Sequence, residues 1–218
     1  MMREYDTPKS LPRVVPIFPL GGALLLPRGR LPLNIFEPRY LQMVDDVLAG
    51  SRLIGMIQPL ERSSDPGAPA LHRVGCVGRI TQLSETGDGR YLITLAGLCR
   101  FEIERELDAV TPYRQVEAIY DPFSSDLHPA TDGREINRTQ LVHLLKQYLD
   151  LHNLEADWDA IDRAGGETLV NSLCMISPFG ISEKQALLEA ETTVARTDVL
   201  IALIEMAMAG EEPDAPLQ

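Results

Sequence analysis

Cysteine, tryptophan and long apolar runs are all scarce in this chain of 218 residues. The three cysteines, Cys76, Cys99 and Cys174, stand far apart in apolar sequence with no CxxC spacing. A scattered, odd set excludes a disulfide framework and a zinc clip, and leaves the thiols as small buried hydrophobes. The most apolar helix-like run, Val199 to Ala209, is too short to cross a bilayer and contains Glu205. The opening MMREYDTPKS lacks the apolar core of a signal peptide, so the sequence reads as cytoplasmic, with no membrane partner.

Signatures of chemistry are missing too. The phosphate loop GxxxxGK[ST], a GxGxxG ahead of a helix, the GxSxG elbow and HExxH do not occur. Gly21-Gly22 and Gly165-Gly166 lack the lysine or helix context of a phosphate cradle and read as turns or helix breaks. His72, His128, His143 and His152 are scattered and read as solvated or locally hydrogen-bonded. No catalytic residue, cofactor or metal is expected.

Cations run short in the second half. Residues 1–120 carry 14 Lys+Arg and 14 Asp+Glu, whereas residues 121–218 carry 6 against 18, which accounts for the whole net charge of −12. An acidic half repels phosphate backbones and argues against nucleic acid as a partner. In the neutral half 13 of the 14 cations are arginines, which suit paired or interface roles better than a diffuse basic patch.

What is present divides at DPFSSDLHPATDG, from Asp121 to Gly133, and the expected fold class is α+β. Residues 1–122 read as β-rich, with VVPIF, ALLL and LPLNIF as short apolar segments between prolines and glycines. RLIGMIQP (Arg52 to Pro59) reads as a buried strand. GDGR (Gly87 to Arg90) reads as the turn of a hairpin, and YRQVEAIY (Tyr113 to Tyr120) as a last strand. One helix interrupts them, opened by Pro38 and stopped at Gly50. SSDPGAPA (Ser63 to Ala70) reads as a loop.

Residues 123–218 read as helical throughout. Leu141, Leu144, Leu145, Tyr148 and Leu149 recur at helical spacing. Asp132 with Glu135, and Ser182 with Gln185, form expected capping boxes. Helices follow near 167–176, 183–191 and 193–209, and the tail EEPDAPLQ is expected to fray.

Among the carboxylates, Glu102, Glu104 and Glu106 alternate along one strand face and read as a solvated outer face. Asp45 and Asp46 point about 100° apart on a helix and make a poor acid–base pair. EADWDAID (Glu155 to Asp162) lacks the register of a calcium loop and reads as a helix surface anchored by Trp158.

The ordered series Phe18, Pro19, Leu20, Pro27, Pro32, Leu33, Phe36, Glu37, Arg39 and Tyr40 resembles the start of the Lon N-terminal, substrate-binding domain family. GCVGRI (Gly75 to Ile80) resembles its next glycine-containing strand. Gly97, Arg100 and Phe101 resemble its Gly-x-x-Arg-Phe segment, and Ile176 to Arg196 its helical end. The resemblance implies a PUA-like β pseudo-barrel with one inserted helix, followed by a helical bundle. In full-length Lon proteases an ATPase and a Ser-Lys peptidase follow this domain. Neither signature occurs in these residues, so the resemblance implies a stand-alone, non-catalytic module of the kind encoded in bacteria without the motor.

The function so implied is binding of unfolded or tagged polypeptides, as a partner of a protease or chaperone. The alternatives are an RNA-binding PUA-like protein and an enzyme without a recognisable motif. Arg28 and Arg30, on the expected turn between two strands, are the best exposed candidates for a binding surface. Phe18, Leu20, Leu33 and Phe36 read as core, and Glu37 with Arg39 as an ion pair at the strand-to-helix corner.

Overall fold

The computed structural model describes residues 5–60, 69–128, 136–152 and 154–209. The Asp132–Glu135 box, the tail from Glu211 and most of the SSDPGAPA loop lie outside those residues. Six strands form one sheet: β1 (Val14–Pro19), β2 (Arg30–Ile35), β3 (Leu53–Ile57), β4 (Val74–Glu85), β5 (Tyr91–Leu107) and β6 (Gln115–Ile119). Their order is β2-β5-β4-β3-β1-β6, and β6 pairs again with β5, which closes the pseudo-barrel. The seventeen residues of β5 make this possible. Its first half lies between β2 and β4, and from Glu102 onward it turns to β6, with irregularities at Ile103/Arg105 and, opposite β4, at Val77/Gly78. Register shifts of this kind bend a strand enough to let it serve two neighbours.

Alternation follows from the closure. Val116 and Ala118 of β6, and Val15 and Ile17 of β1, point into the barrel, where they meet Leu53, Val77, Cys99 and Phe101. The turn between β4 and β5 holds as expected, with the Gly89 N–H donating to Thr86 O and Gly89 at φ +77. β3 is buried at all five positions.

The ALLL segment departs from expectation: residues 20–29 form no strand. Leu24, Leu25 and Leu26 are fully buried and lie across β4 and β5. The Gly97 backbone makes the place, because a Cβ there would fall on the Leu26 carbonyl oxygen. Three leucines inserted whole bury more apolar surface than an alternating strand, which turns every second side chain outward.

The inserted helix α1 (Pro38–Leu48) buries Tyr40, Met43, Val44 and Val47 on one face. After a 3-10 run over Asp121–Leu127 come α2 (Arg138–Leu151), α3 (Trp158–Arg163), α4 (Gly166–Ile176), α5 (Ile181–Glu189) and α6 (Thr193–Ala209). One apolar cluster runs from α1 through Leu24–Leu26 to Leu141, Leu145, Val170, Leu187 and Leu200, so sheet and helices share a core. Among the described residues no helix is long and apolar enough to cross a membrane.

Two helix-end expectations are corrected. Gly180, not Ser182, is the N-cap of α5, and Gln185 is drawn away to donate to Val74 O at 3.1 Å and to Glu189. Trp158 is about a third exposed at the first turn of a six-residue α3 that buries nothing, so it anchors no helix surface. Phe36 is also corrected. It is 59% exposed beneath the Arg90 guanidinium, because it sits at the open corner between β2 and α1. Glu37 and Arg39 do pair there, at 2.8 Å.

Candidate functional site

Two buried arginines hold the sheet against the helices. Arg100, from β5, grips Asp126 in the 3-10 run with two parallel bonds of 2.8 Å, and its own backbone N–H donates to the same carboxylate at 3.0 Å. The rest of its guanidinium donates to the carbonyls of Leu188, Ala190 and Glu191 and lies over the Phe123 ring. Those carbonyls end α5, where helix geometry leaves acceptors unpaired and a cation is favoured. Arg196, from α6, serves the same corner through Leu187 O and Ala190 O, and donates to Asn171 Oδ1 at 3.1 Å. Asn171 in turn donates to Pro27 O at 3.0 Å, which pins the turn before β2 to α4. Burial, with Arg100 nearby, pulls Arg196 down to about 10.

That turn carries Arg28, and the other sequence-predicted residue, Arg30, is the first of β2 and not on the turn expected. Arg28 stands in the left-handed region at φ 63. Its guanidinium donates to the carbonyls of Asp126 and His128 and pairs with Glu167 at the start of α4, so Arg28 is largely spent on architecture. Arg30 is exposed, and among the described residues its side chain has no ion pair or hydrogen bond. The two arginines share one wall of a cleft of about 240 Å³, whose other wall is α4. Gly29 sits against Met175 so closely that a Cβ would overlap its sulfur, and this brings turn and helix together.

Along α4 the cleft is lined by Glu167, the exposed hydroxyls of Thr168 and Ser172 one turn apart, and then Met175 and Ile176. Ile176 is 76% exposed. The site therefore offers one uncommitted guanidinium, two hydroxyls and an apolar end. Its formal charge is +1, from Arg28 and Arg30 against Glu167, in a chain of −12. The α4 residues escaped the sequence reading because an exposed isoleucine at a helix end looks like any buried one. A second concavity, on the open face of β2, β5 and β4, is lined only by uncharged residues such as Asn34, Gln82, Leu92 and Thr94.

The remaining candidates are committed elsewhere. Glu102, Glu104 and Glu106 are each met by an arginine, Arg73, Arg13 and Arg114 respectively, at 2.6–3.0 Å. Asp45 accepts from the Tyr91 hydroxyl and Asp46 from the Tyr113 hydroxyl. Among the described residues His72 Nε2 is buried without a hydrogen-bond partner, so that nitrogen is neither solvated nor locally hydrogen-bonded as expected. Among the described residues no group of three His, Cys, Asp or Glu could hold a metal ion.

The cysteines are buried as expected. Burial pushes Cys99 and Cys174 up to about 12, and burial with the Asp46 hydrogen bond does the same for Tyr113. A raised acid stabilises the fold below its unfolded pKa and loses that contribution as pH climbs toward the folded value. Arg196 and Lys184, both pulled down by burial, act oppositely but are outnumbered by these three acids. The urea midpoint should therefore hold level to about pH 8 and fall steadily between about 9 and 12. A midpoint unchanged at pH 11, under reducing conditions, would contradict this.

A family model described as the ATP-dependent protease La (LON) substrate-binding domain matches residues 14–206. The chain belongs to this family. It is 28% identical to Lon protease 2 of Myxococcus xanthus over 201 residues, covering 90% of this chain and 24% of that protein. It is 33% identical to the Lon protease of Anaeromyxobacter dehalogenans over 116 residues, 52% of this chain and 14% of that one. The chain thus spans about a quarter or less of these relatives.

The Lon N-terminal domain protein from Xanthomonas campestris superposes with a TM-score of 0.61 at 23% identity, over 87% of this chain and 97% of that one. The N-terminal domain of the Mycobacterium avium complex Lon protease gives 0.63 at 17%, over 88% and 98%. At those identities the likeness is one of fold, and it bears out the α+β pseudo-barrel with its helices. In this LON substrate-binding domain the family-like Arg100 and Arg196 serve the junction of sheet and helices, and Gly97 makes room for the Leu26 carbonyl.

Proposed function

We propose that this LON substrate-binding domain is a non-catalytic module of the cytoplasm that takes unfolded or tagged polypeptide segments into the cleft between Arg28–Arg30 and α4, for a protease or chaperone. The observation that carries the reading is the cleft itself. It sets an exposed isoleucine, free hydroxyls and an unpaired guanidinium along about two turns of helix. An extended segment can place side chains on the apolar end and its backbone against the hydroxyls. Membership of a family described by substrate binding supports the same reading.

Titration of a fluorescent unfolded polypeptide against the full chain tests it. Saturable binding is expected at micromolar concentrations, on the order of tens of micromolar or tighter. Ile176→Glu should weaken it about tenfold, because an apolar contact is replaced by a charge that must desolvate. The reading is abandoned if no binding appears in that range, or if Ile176→Glu binds as the wild type does.

A further inference from the structure

Among the described residues Arg30 has no ion pair or hydrogen bond, whereas eight of the fourteen described arginines face carboxylates. Arg13, Arg28, Arg39, Arg73, Arg90, Arg100, Arg105 and Arg114 all face carboxylates. Arg30 instead faces the cleft, across which lie the hydroxyls of Thr168 and Ser172, the Asn171 amide already held by Pro27 and Arg196, and the apolar pair Met175 and Ile176. The other charges lining the cleft, Arg28 and Glu167, already neutralise each other. What Arg30 lacks is a carboxylate, the group whose two oxygens match its fork of donors.

The size of the cleft says where on a polypeptide that carboxylate sits. About 240 Å³ is smaller than the roughly 300–1,000 Å³ of an ordinary small-molecule site. A chain passing through would need room to enter and to leave, whereas a chain end needs only one opening.

We propose that Arg30 receives the C-terminal carboxylate of a polypeptide whose last residues are apolar and pack on Met175 and Ile176. Thr168 and Ser172 then lie beside the terminal peptide group, where their hydroxyls can donate to its carbonyl or accept from its N–H. This assignment rests on the cleft being the polypeptide site, and it adds which end of the polypeptide enters and what that end must carry.

Three short fluorescent peptides of one sequence ending in Ala-Leu test it by anisotropy with the full chain. One has a free carboxylate, one a C-terminal amide, and one a C-terminal amide with aspartate replacing a residue near the end. The free acid should bind about tenfold tighter than the amide, as expected for a hydrogen-bonded charge pair. The margin should shrink at high salt because the guanidinium is exposed. Arg30→Gln should abolish that margin while leaving the melting temperature unchanged. Ile176→Glu should weaken all three peptides.

Equal affinity for acid and amide, or a preference that survives Arg30→Gln, overturns the carboxylate assignment and leaves the cleft reading standing. An aspartate peptide as tight as the free acid overturns the chain-end source. If no peptide binds, or none responds to either substitution, the polypeptide reading of the cleft falls with it.

Discussion

Replacing Arg100 by methionine should lower the unfolding free energy by about 3–5 kcal/mol, the cost of breaking a buried pair from one side. The Asp126 carboxylate, in a side chain only 8% exposed, would lose two guanidinium bonds and keep the Arg100 backbone N–H. Leu188 and Glu191 would lose their arginine donor at the end of α5, and Ala190 would keep only the Arg196 bond of 3.3 Å. For a domain of this size that corresponds to a fall of roughly 10 °C in melting temperature.

Arg100→Lys should lie between, since one ammonium cannot match both carboxylate oxygens and three carbonyls. Hydrogen exchange should rise first in residues 188–196, where the carbonyls are released. Thermal melts and urea titrations of both variants check this. An Arg100→Met protein within about 1 kcal/mol of wild type would contradict this, since the buried Asp126 would then lose its cation at almost no cost.

Gly97→Ala is the second large effect. A single methyl would meet the Leu26 carbonyl, with the carbonyl carbon 2.8 Å away, and that carbonyl already accepts from the Gly29 N–H. Backbone cannot rotate aside as a side chain does, so residues 26–29 must move together. A loss of about 3 kcal/mol is expected, at the upper end of overpacking.

Gly78→Ala provides the comparison. Its methyl would meet the Leu25 Cδ2 at 2.6 Å, the end of a flexible side chain, and it should cost about 1 kcal/mol. Because residues 26–29 carry Arg28 and lead into Arg30, Gly97→Ala should also weaken polypeptide binding, whereas Gly78→Ala should spare it. Equal stability losses for the two would refute the backbone explanation.

These two residues show how far sequence reading reached. Gly97 and Arg100 were visible as members of a family-like segment, but nothing local reveals that one touches Leu26 and the other Asp126. The expected strands between Arg52 and Tyr120 and the helices after 136 were legible, because period-2 and 3.6-residue patterns are properties of neighbouring residues. ALLL was misread as a strand for the complementary reason. A short apolar run buries equally well as strand or as insert, and only the glycines opposite decide.

The candidate site divides in the same way. Arg28 and Arg30 were picked out alike, since both are arginines beside Gly29. The fold spends Arg28 on Glu167 and two carbonyls and leaves Arg30 to the cleft. Thr168, Ser172 and Ile176 could not be found in advance, because their importance comes from facing a turn some 140 positions earlier.

By itself, the sequence determined the α+β class, the buried thiols, the acidic second half and the family. Each of these is set by composition or by patterns among near neighbours. The tertiary structure alone decided which of Arg28 and Arg30 is left to the cleft, where Leu24–Leu26 lie and which face of α4 lines that cleft. Those outcomes depend on contacts between residues distant in the chain, and no local period encodes such contacts.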